Sequence, residues 1–213
     1  MTPMSVKDQN LLNIFHPHEV NKKSVSLLIY SLLPAIFVTK TLESTLVYLL
    51  FSFIYLILVT FLGKLIYKTV REELIPIVVP FIFISTAVLV SLLSNAFFIN
   101  FSKDYNLYII ILSISALPYM LIADNEKRNI GYSVLNSLQS FLGLMVIMIV
   151  IGFFRELLST GMITFGNYTN IKFQLNLFKD YAMTVFSNPL GAIILLGFIV
   201  AIFNKRGARI WNI

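Results

Sequence analysis

The chain contains no cysteine. That excludes disulfides, thiolate catalysis and any iron–sulfur or zinc centre held by its own thiolates. Charge is nearly as scarce: Asp, Glu, Lys and Arg make up 12% of 213 residues, against 58% hydrophobic. A soluble domain carries about 25% charged residues, so the composition belongs to the membrane class. The two histidines, His16 and His18, flank Pro17 and read as part of a solvated turn, not as a metal site. No catalytic His, Ser or carboxylate constellation is visible, and no charge lies mid-span where an obligatory proton relay would place one. Residues 1–23 are polar and lack the apolar stretch of a cleavable signal peptide.

What the chain does have is long uncharged runs, at 24–39, 44–63, 74–102, 105–123, 129–154 and 181–204. A membrane span needs about 20 apolar residues. The runs therefore predict an all-α integral membrane domain over 24–204, with helices about 24–39, 43–66, 74–98, 105–123, 131–154 and 187–204. A polar N-terminal segment, 1–23, precedes it, and a basic tail, 205–213, follows and carries Trp211. With six spans the termini share a side with two of the loops. That side holds eleven of the sixteen basic residues, including Lys64, Lys68, Arg71, Lys127, Arg128 and Lys205. The positive-inside bias then places both termini in the cytoplasm of a multi-pass protein of the cell (inner) membrane.

Two segments carry a proline at matching places: Ser31-Leu32-Leu33-Pro34 in the first and Ser115-Ala116-Leu117-Pro118 in the fourth. Proline disfavours a helix interior by about 3 kcal/mol and frees the carbonyl four residues upstream. At bilayer depth such a break persists only where protein or a polar cavity satisfies the backbone. Each half of the chain has one short broken segment followed by two longer ones. An odd number of spans per half sets the halves in opposite orientation, an inverted 3+3 repeat with broken first and fourth helices and a site at the breaks.

Polar residues inside the spans form two stripes. Ser91, Ser94 and Asn95 share a face at i, i+3, i+4 spacing, as do Ser133, Asn136, Ser137 and Ser140 above Gly143. Each stripe reads either as a helix contact or as a polar path. Arg155-Glu156 closes the fifth segment, with Gly161 and Gly166 beyond it, and reads as an interfacial anchor and loop start. The loop at about 160–186 is long, and Phe165, Tyr168, Phe173, Phe178 and Tyr181 suit an interfacial belt or a docking surface. Pro76 suits the first turn of the third helix, and Pro80 lies deeper, where it would kink it.

Several stretches in order resemble one family. Arg155-Glu156-Leu157-Leu158-Ser159-Thr160-Gly161 followed by Phe165-Gly166 is similar to its Arg-Glu-Ile-Ile-x-x-Gly stretch. Glu73-Leu74-Ile75-Pro76-Ile77 is similar to the entry to its third helix, and Pro189-Leu190-Gly191-Ala192-Ile193 through Lys205 to its last helix. Ala123-Asp124 through Gly131 matches the loop between its helices 4 and 5. The family is that of the paired six-helix membrane subunits of the Rnf and Nqr redox-driven ion pumps, and the resemblance is strongest to the RnfE/NqrD branch.

The resemblance implies a membrane subunit that pairs with an inversely oriented homologue and supports transmembrane electron transfer coupled to Na+ or H+ movement. It implies FMN or riboflavin and NADH on partner subunits, some of them extracytoplasmic. It makes the chain a non-catalytic part of an ion-translocating oxidoreductase, contacting lipid and no nucleic acid. In the family a cysteine before the first proline and another in the fourth helix join those of a partner around a 2Fe–2S cluster. Here those positions match Leu33 and Leu117, beside Pro34 and Pro118. Leucine cannot ligate iron, so the resemblance implies a scaffold without its cluster, with both leucines meeting as an apolar plug. Two other readings stand beside it: a solute transporter or vitamin-binding component using an inverted-repeat cavity, and a purely structural subunit. The first segment has no Ala-x-x-x-Ala pattern of the kind that docks vitamin-binding components.

Overall fold

The computed structural model describes residues 36–114, 130–169, 172–178, 180 and 182–205. Five helices dominate: α1 (Leu42–Thr69), α2 (Ile75–Phe97), α3 (Ile99–Ile111), α4 (Ile130–Thr160) and α5 (Pro189–Lys205). Helix α1 starts where Thr41, in extended conformation, forms a reciprocal capping box with Ser44. At about 1.5 Å per residue its 28 residues run past the hydrocarbon thickness of a bilayer. Helix α2 begins after a 3₁₀ turn at Glu72–Leu74, takes Pro76 in its first turn and continues through Pro80. Within these two helices, Leu42–Ile66 and Ile77–Phe97 are each long and apolar enough to cross a membrane.

Helix α1 packs against α4 and α2, α2 against α3, and α5 against α4. One buried core joins α1, α2, α3 and α4 through Tyr48, Phe51, Tyr55, Phe83, Ala87, Val90, Phe101 and Met148. The closest approach of α1 and α4 is at Gly152, where a β-carbon would stand 2.5 Å from the Thr45 hydroxyl oxygen. Only glycine allows α1 to lie there.

Three expectations from sequence are corrected. The fourth segment starts at Ile99, not near 105, and its α-helix gives way to a 3₁₀ turn at Leu112–Ile114. Lys103 and Asp104 are exposed while Phe101, Ser102 and Tyr105 are buried, so the charges belong to the outer face of the helix and do not precede it. Helix α4 likewise runs through Arg155 and Glu156 to Thr160. The chain is also not all-α. Strands β1 (Met162–Phe165) and β2 (Phe173–Asn176) pair antiparallel, Met162 opposite Asn176 and Phe165 opposite Phe173. Gly161 (φ 66°) and Gly166 (φ 119°) take up the positive-φ corners at the two ends of β1. The first helix around Pro34 and the stretch around Pro118 lie outside the described residues.

Candidate functional site

The hairpin end of the bundle holds three charged side chains, Glu43, Arg155 and Glu156, each only 1% exposed. Burial of a charge is costly unless hydrogen bonds replace its water, and each of the three is well supplied. The Glu43 carboxylate, in the first turn of α1, accepts the backbone N–H groups of Gly166 (3.0 Å), Asn167 (3.0 Å), Tyr168 (3.0 Å) and Thr169 (2.7 Å). The Thr169 hydroxyl adds a fifth donor at 2.7 Å. Five donors around two oxygens leave no acceptor for a carboxyl proton, so the group is held as the anion. The loop after β1 is folded around that charge.

Glu156 performs a second closure. Its Oε2 accepts the N–H of Leu42 at 2.7 Å, an otherwise unpaired donor at the start of α1. Its Oε1 accepts the N–H (2.7 Å) and hydroxyl (2.8 Å) of Thr164 on β1. One carboxylate thus joins α4, the first turn of α1 and the hairpin.

Arg155 points elsewhere. Its Nε donates to the Phe186 carbonyl (3.0 Å) and Nη2 to the Ser187 carbonyl (3.2 Å), in the 3₁₀ turn that precedes α5. Nη1 donates to the Ile36 carbonyl (2.8 Å) and the Thr39 hydroxyl (3.3 Å), where the helical residues 36–38 end. The rigid fork of the guanidinium suits this use, four acceptors on two segments that share no strand or helix. Gly191 closes the same corner, since a β-carbon there would stand 2.5 Å from the Phe186 Cα. Ser44 completes the knot, its hydroxyl donating to the Val38 carbonyl at 2.7 Å.

Tyr168 links this knot to the core. Its ring packs edge-on against Phe101 and Tyr105, centroids 5.7 and 5.9 Å away, and its hydroxyl donates to the Asp104 carboxylate at 3.0 Å. Burial, with the Tyr105 phenol and the Asp104 carboxylate beside it, pushes the Tyr168 phenol up from its ordinary value, so it remains a neutral donor.

The structure gathers Arg155, Glu156, Gly161 and Gly166 at one end of the bundle, with the Arg-Glu pair buried in protein. Of the loop aromatics, Phe173 and Phe178 are exposed, Phe165 and Tyr168 are partly buried, and Tyr181 lies outside the described residues. Of the first polar stripe, Ser91 and Ser94 are buried in the bundle and Asn95 is exposed, so the three do not act as one face. Ser133, Asn136, Ser137 and Ser140 fall on the first half of α4, with side chains outside the description, and Leu33, Pro34, Leu117 and Pro118 lie outside the described residues altogether. The sequence reading missed Glu43, Thr39, Ser44, Thr164 and Thr169. The one signal for Glu43 was its place two residues after the capping Thr41. Among the described residues no group of three or more His, Cys, Asp or Glu is placed to hold a metal ion.

The arrangement has no nucleophile–base pair. What it does chemically is neutralise buried charge with backbone donors and acceptors, and so fix the ends of four segments. No curated protein matches the chain. A family model described as Rnf-Nqr subunit, membrane protein, matches residues 11–200. That span includes every residue of the buried cluster, and the chain belongs to the Rnf-Nqr family of membrane subunits.

Proposed function

We propose that the chain is a membrane subunit of a redox-driven complex that moves Na+ or H+, pairing there with an inversely oriented homologue. The observation that carries this reading is the family match over residues 11–200. In this reading FMN or riboflavin and NADH belong to partner subunits, and the six spans form an inverted 3+3 repeat with both termini in the cytoplasm. The family's 2Fe–2S cluster does not fit the donor set. Leucine stands at 33 and 117, the chain has no thiolate anywhere, and the described residues offer no His or carboxylate cluster in exchange. No electron step is therefore routed through this chain, and Leu33 and Leu117 are assigned to an apolar plug at the two breaks.

The test is purification of the native complex with analysis of subunits, flavin and iron. The expected result is a homologous membrane subunit and flavin in the preparation, with no 2Fe–2S signal traceable to this chain. Copurification with no homologue would sink the pairing, and a cluster bound by this chain would overturn the plug. A purely structural role is favoured by one observation: the buried charges at the hairpin end all have partners within the chain.

A further inference from the structure

The stretch from β2 to α5 carries a run of uncovered apolar side chains. Phe173, Leu175, Leu177, Phe178, Met183 and Val185 are each between 44 and 58% exposed. Large apolar groups gathered in this way mark a surface that meets a partner or a membrane. The register sharpens the pattern. Phe173 and Leu175 share a face of the ribbon with Phe165 and Ile163, which stand opposite them on β1. Ile163 is buried and β1 lies against α1 and α4, so this apolar face starts inside the protein and runs out past its edge on β2. Gln174 and Asn176, both exposed, take the other face. The strand is amphipathic, and its apolar side is uncovered.

What covers that side follows from the path of the chain along α4. Phe178 donates its N–H to the Gly161 carbonyl and Met183 to the Leu158 carbonyl, and Arg155 then holds the Phe186 and Ser187 carbonyls. One turn further along α4, Ala192 and Leu196 of α5 pack in a cluster with Ile147 and Ile151. The stretch therefore descends the end of α4 and runs directly into α5, whose Leu190, Ile193, Ile194 and Phe198 are turned outward. In a membrane subunit this outward row is the bilayer face of α5, and Phe178, Met183 and Val185 continue it upward. Length points the same way. Helix α5 has 17 residues, about 25 Å of helical rise, against about 30 Å of hydrocarbon. Between Arg155 and Gly161 α4 rises about 9 Å, more than the shortfall of α5. A span that falls short thins the bilayer around it unless the flanking chain adds apolar surface.

We propose that β2 and the segment that follows it to Val185 form an amphipathic foot, seated in the headgroup–acyl boundary of the leaflet on the hairpin side and completing the apolar height of α5. Its depth is bounded. Leu177 donates its N–H to the Gly161 carbonyl, and the alternation of an antiparallel ladder then turns the backbone groups of Gln174 and Asn176 away from β1. Among the described residues no strand pairs with that edge. A free edge cannot enter hydrocarbon, so the strand stays at headgroup level, where the exposed Lys172 and Asp180 stand on either side of it, and the apolar side chains reach down from there. The seat in the leaflet does not depend on whether the complex moves an ion.

The test is photo-crosslinking in native membranes that hold the whole complex. Benzoylphenylalanine replaces Phe173 or Phe178 in turn, with Leu50 on the outward face of α1 as the lipid reference. On irradiation both positions are expected to give phospholipid adducts of this chain, identified by mass, within about threefold of the yield at Leu50. Adducts to a protein in place of lipid would show that a partner covers the face and would overturn the proposal, and so would the absence of any adduct. A second measurement reads the height. The full chain is placed in vesicles of short-chain or long-chain phosphatidylcholine, and the Phe178→Ser/Val185→Ser double variant is compared with the unaltered chain. The variant is expected to unfold at a lower temperature mainly in the thick bilayer, where the shortfall of α5 is greatest. A difference that is the same in both bilayers, zero included, would overturn the foot as an extension of α5.

Discussion

The hairpin end and the middle of the bundle handle buried polarity in opposite ways. At the hairpin end, full charges are buried and saturated: Glu43 takes five donors, Glu156 three, and Arg155 gives to four acceptors. In the middle, neutral hydroxyls are buried with few partners: Tyr48 and Ser52 stand beside each other, and the Ser94 hydroxyl has no hydrogen-bond partner among the described residues. The difference follows from magnitude. An unpaired hydroxyl is tolerated at about 1–3 kcal/mol, whereas an unpaired charge is not tolerated in a marginally stable fold. A saturated region is rigid and an unsaturated one can take up a small guest, so the two regions are suited to different work.

The largest effect that would break this contrast is expected from Arg155→Met. It takes the guanidinium from the Phe186 and Ser187 carbonyls, leaves the Ile36 carbonyl only the Thr39 hydroxyl, and should lower stability by about 3–5 kcal/mol, read as a fall in thermal unfolding temperature in detergent. Arg155→Lys should recover only part of it, since an ammonium cannot span both segments. Next, Glu43→Gln replaces an oxygen acceptor with a donor facing backbone N–H groups. It should cost about 2–3 kcal/mol and speed hydrogen exchange at the amides of 166–169 before the rest of the chain is affected. Gly152→Ala forces α1 away from α4 at Thr45 and should cost about 1–3 kcal/mol. Gly161→Ala, at φ 66°, should cost about 1 kcal/mol through backbone strain, measurable in the same unfolding assay. Smallest of all, Ser94→Ala should change stability by no more than about 0.5 kcal/mol, because it removes a hydroxyl that has no hydrogen-bond partner among the described residues. A loss as large as that of Glu43→Gln would erase the distinction between the two regions.

Gaps between charges located α1 and α2 well, because their ends coincide with Glu43 and the Lys64–Arg71 cluster. The same rule ended α4 too early and began α3 too late. A charge in sequence carries no sign of whether it will face out, like Lys103, or be buried and satisfied, like Arg155. That distinction depends on Ile36, Phe186 and Ser187, which lie more than thirty residues away in both directions. The hairpin was missed for a related reason. Met162–Phe165 and Phe173–Asn176 are four-residue strands, too short for alternation to be read, and the carboxylates that hold β1 and the loop after it, Glu156 and Glu43, lie outside the hairpin. The stripe of Ser91, Ser94 and Asn95 shows the limit of helical spacing: neighbours at 94 and 95 are about 100° apart, enough to bury one and expose the other.

Arg155 and Glu156 are consecutive, so they leave α4 in different directions and grip different parts of the chain. The hairpin hangs from α1 by two carboxylates, at Glu43 and Glu156, and the turn before α5 hangs from residues 36–39 by one guanidinium. The hairpin is therefore a handle and not a flap. Whatever pushes on it moves the first turn of α1, and with it the contact of Thr45 on Gly152.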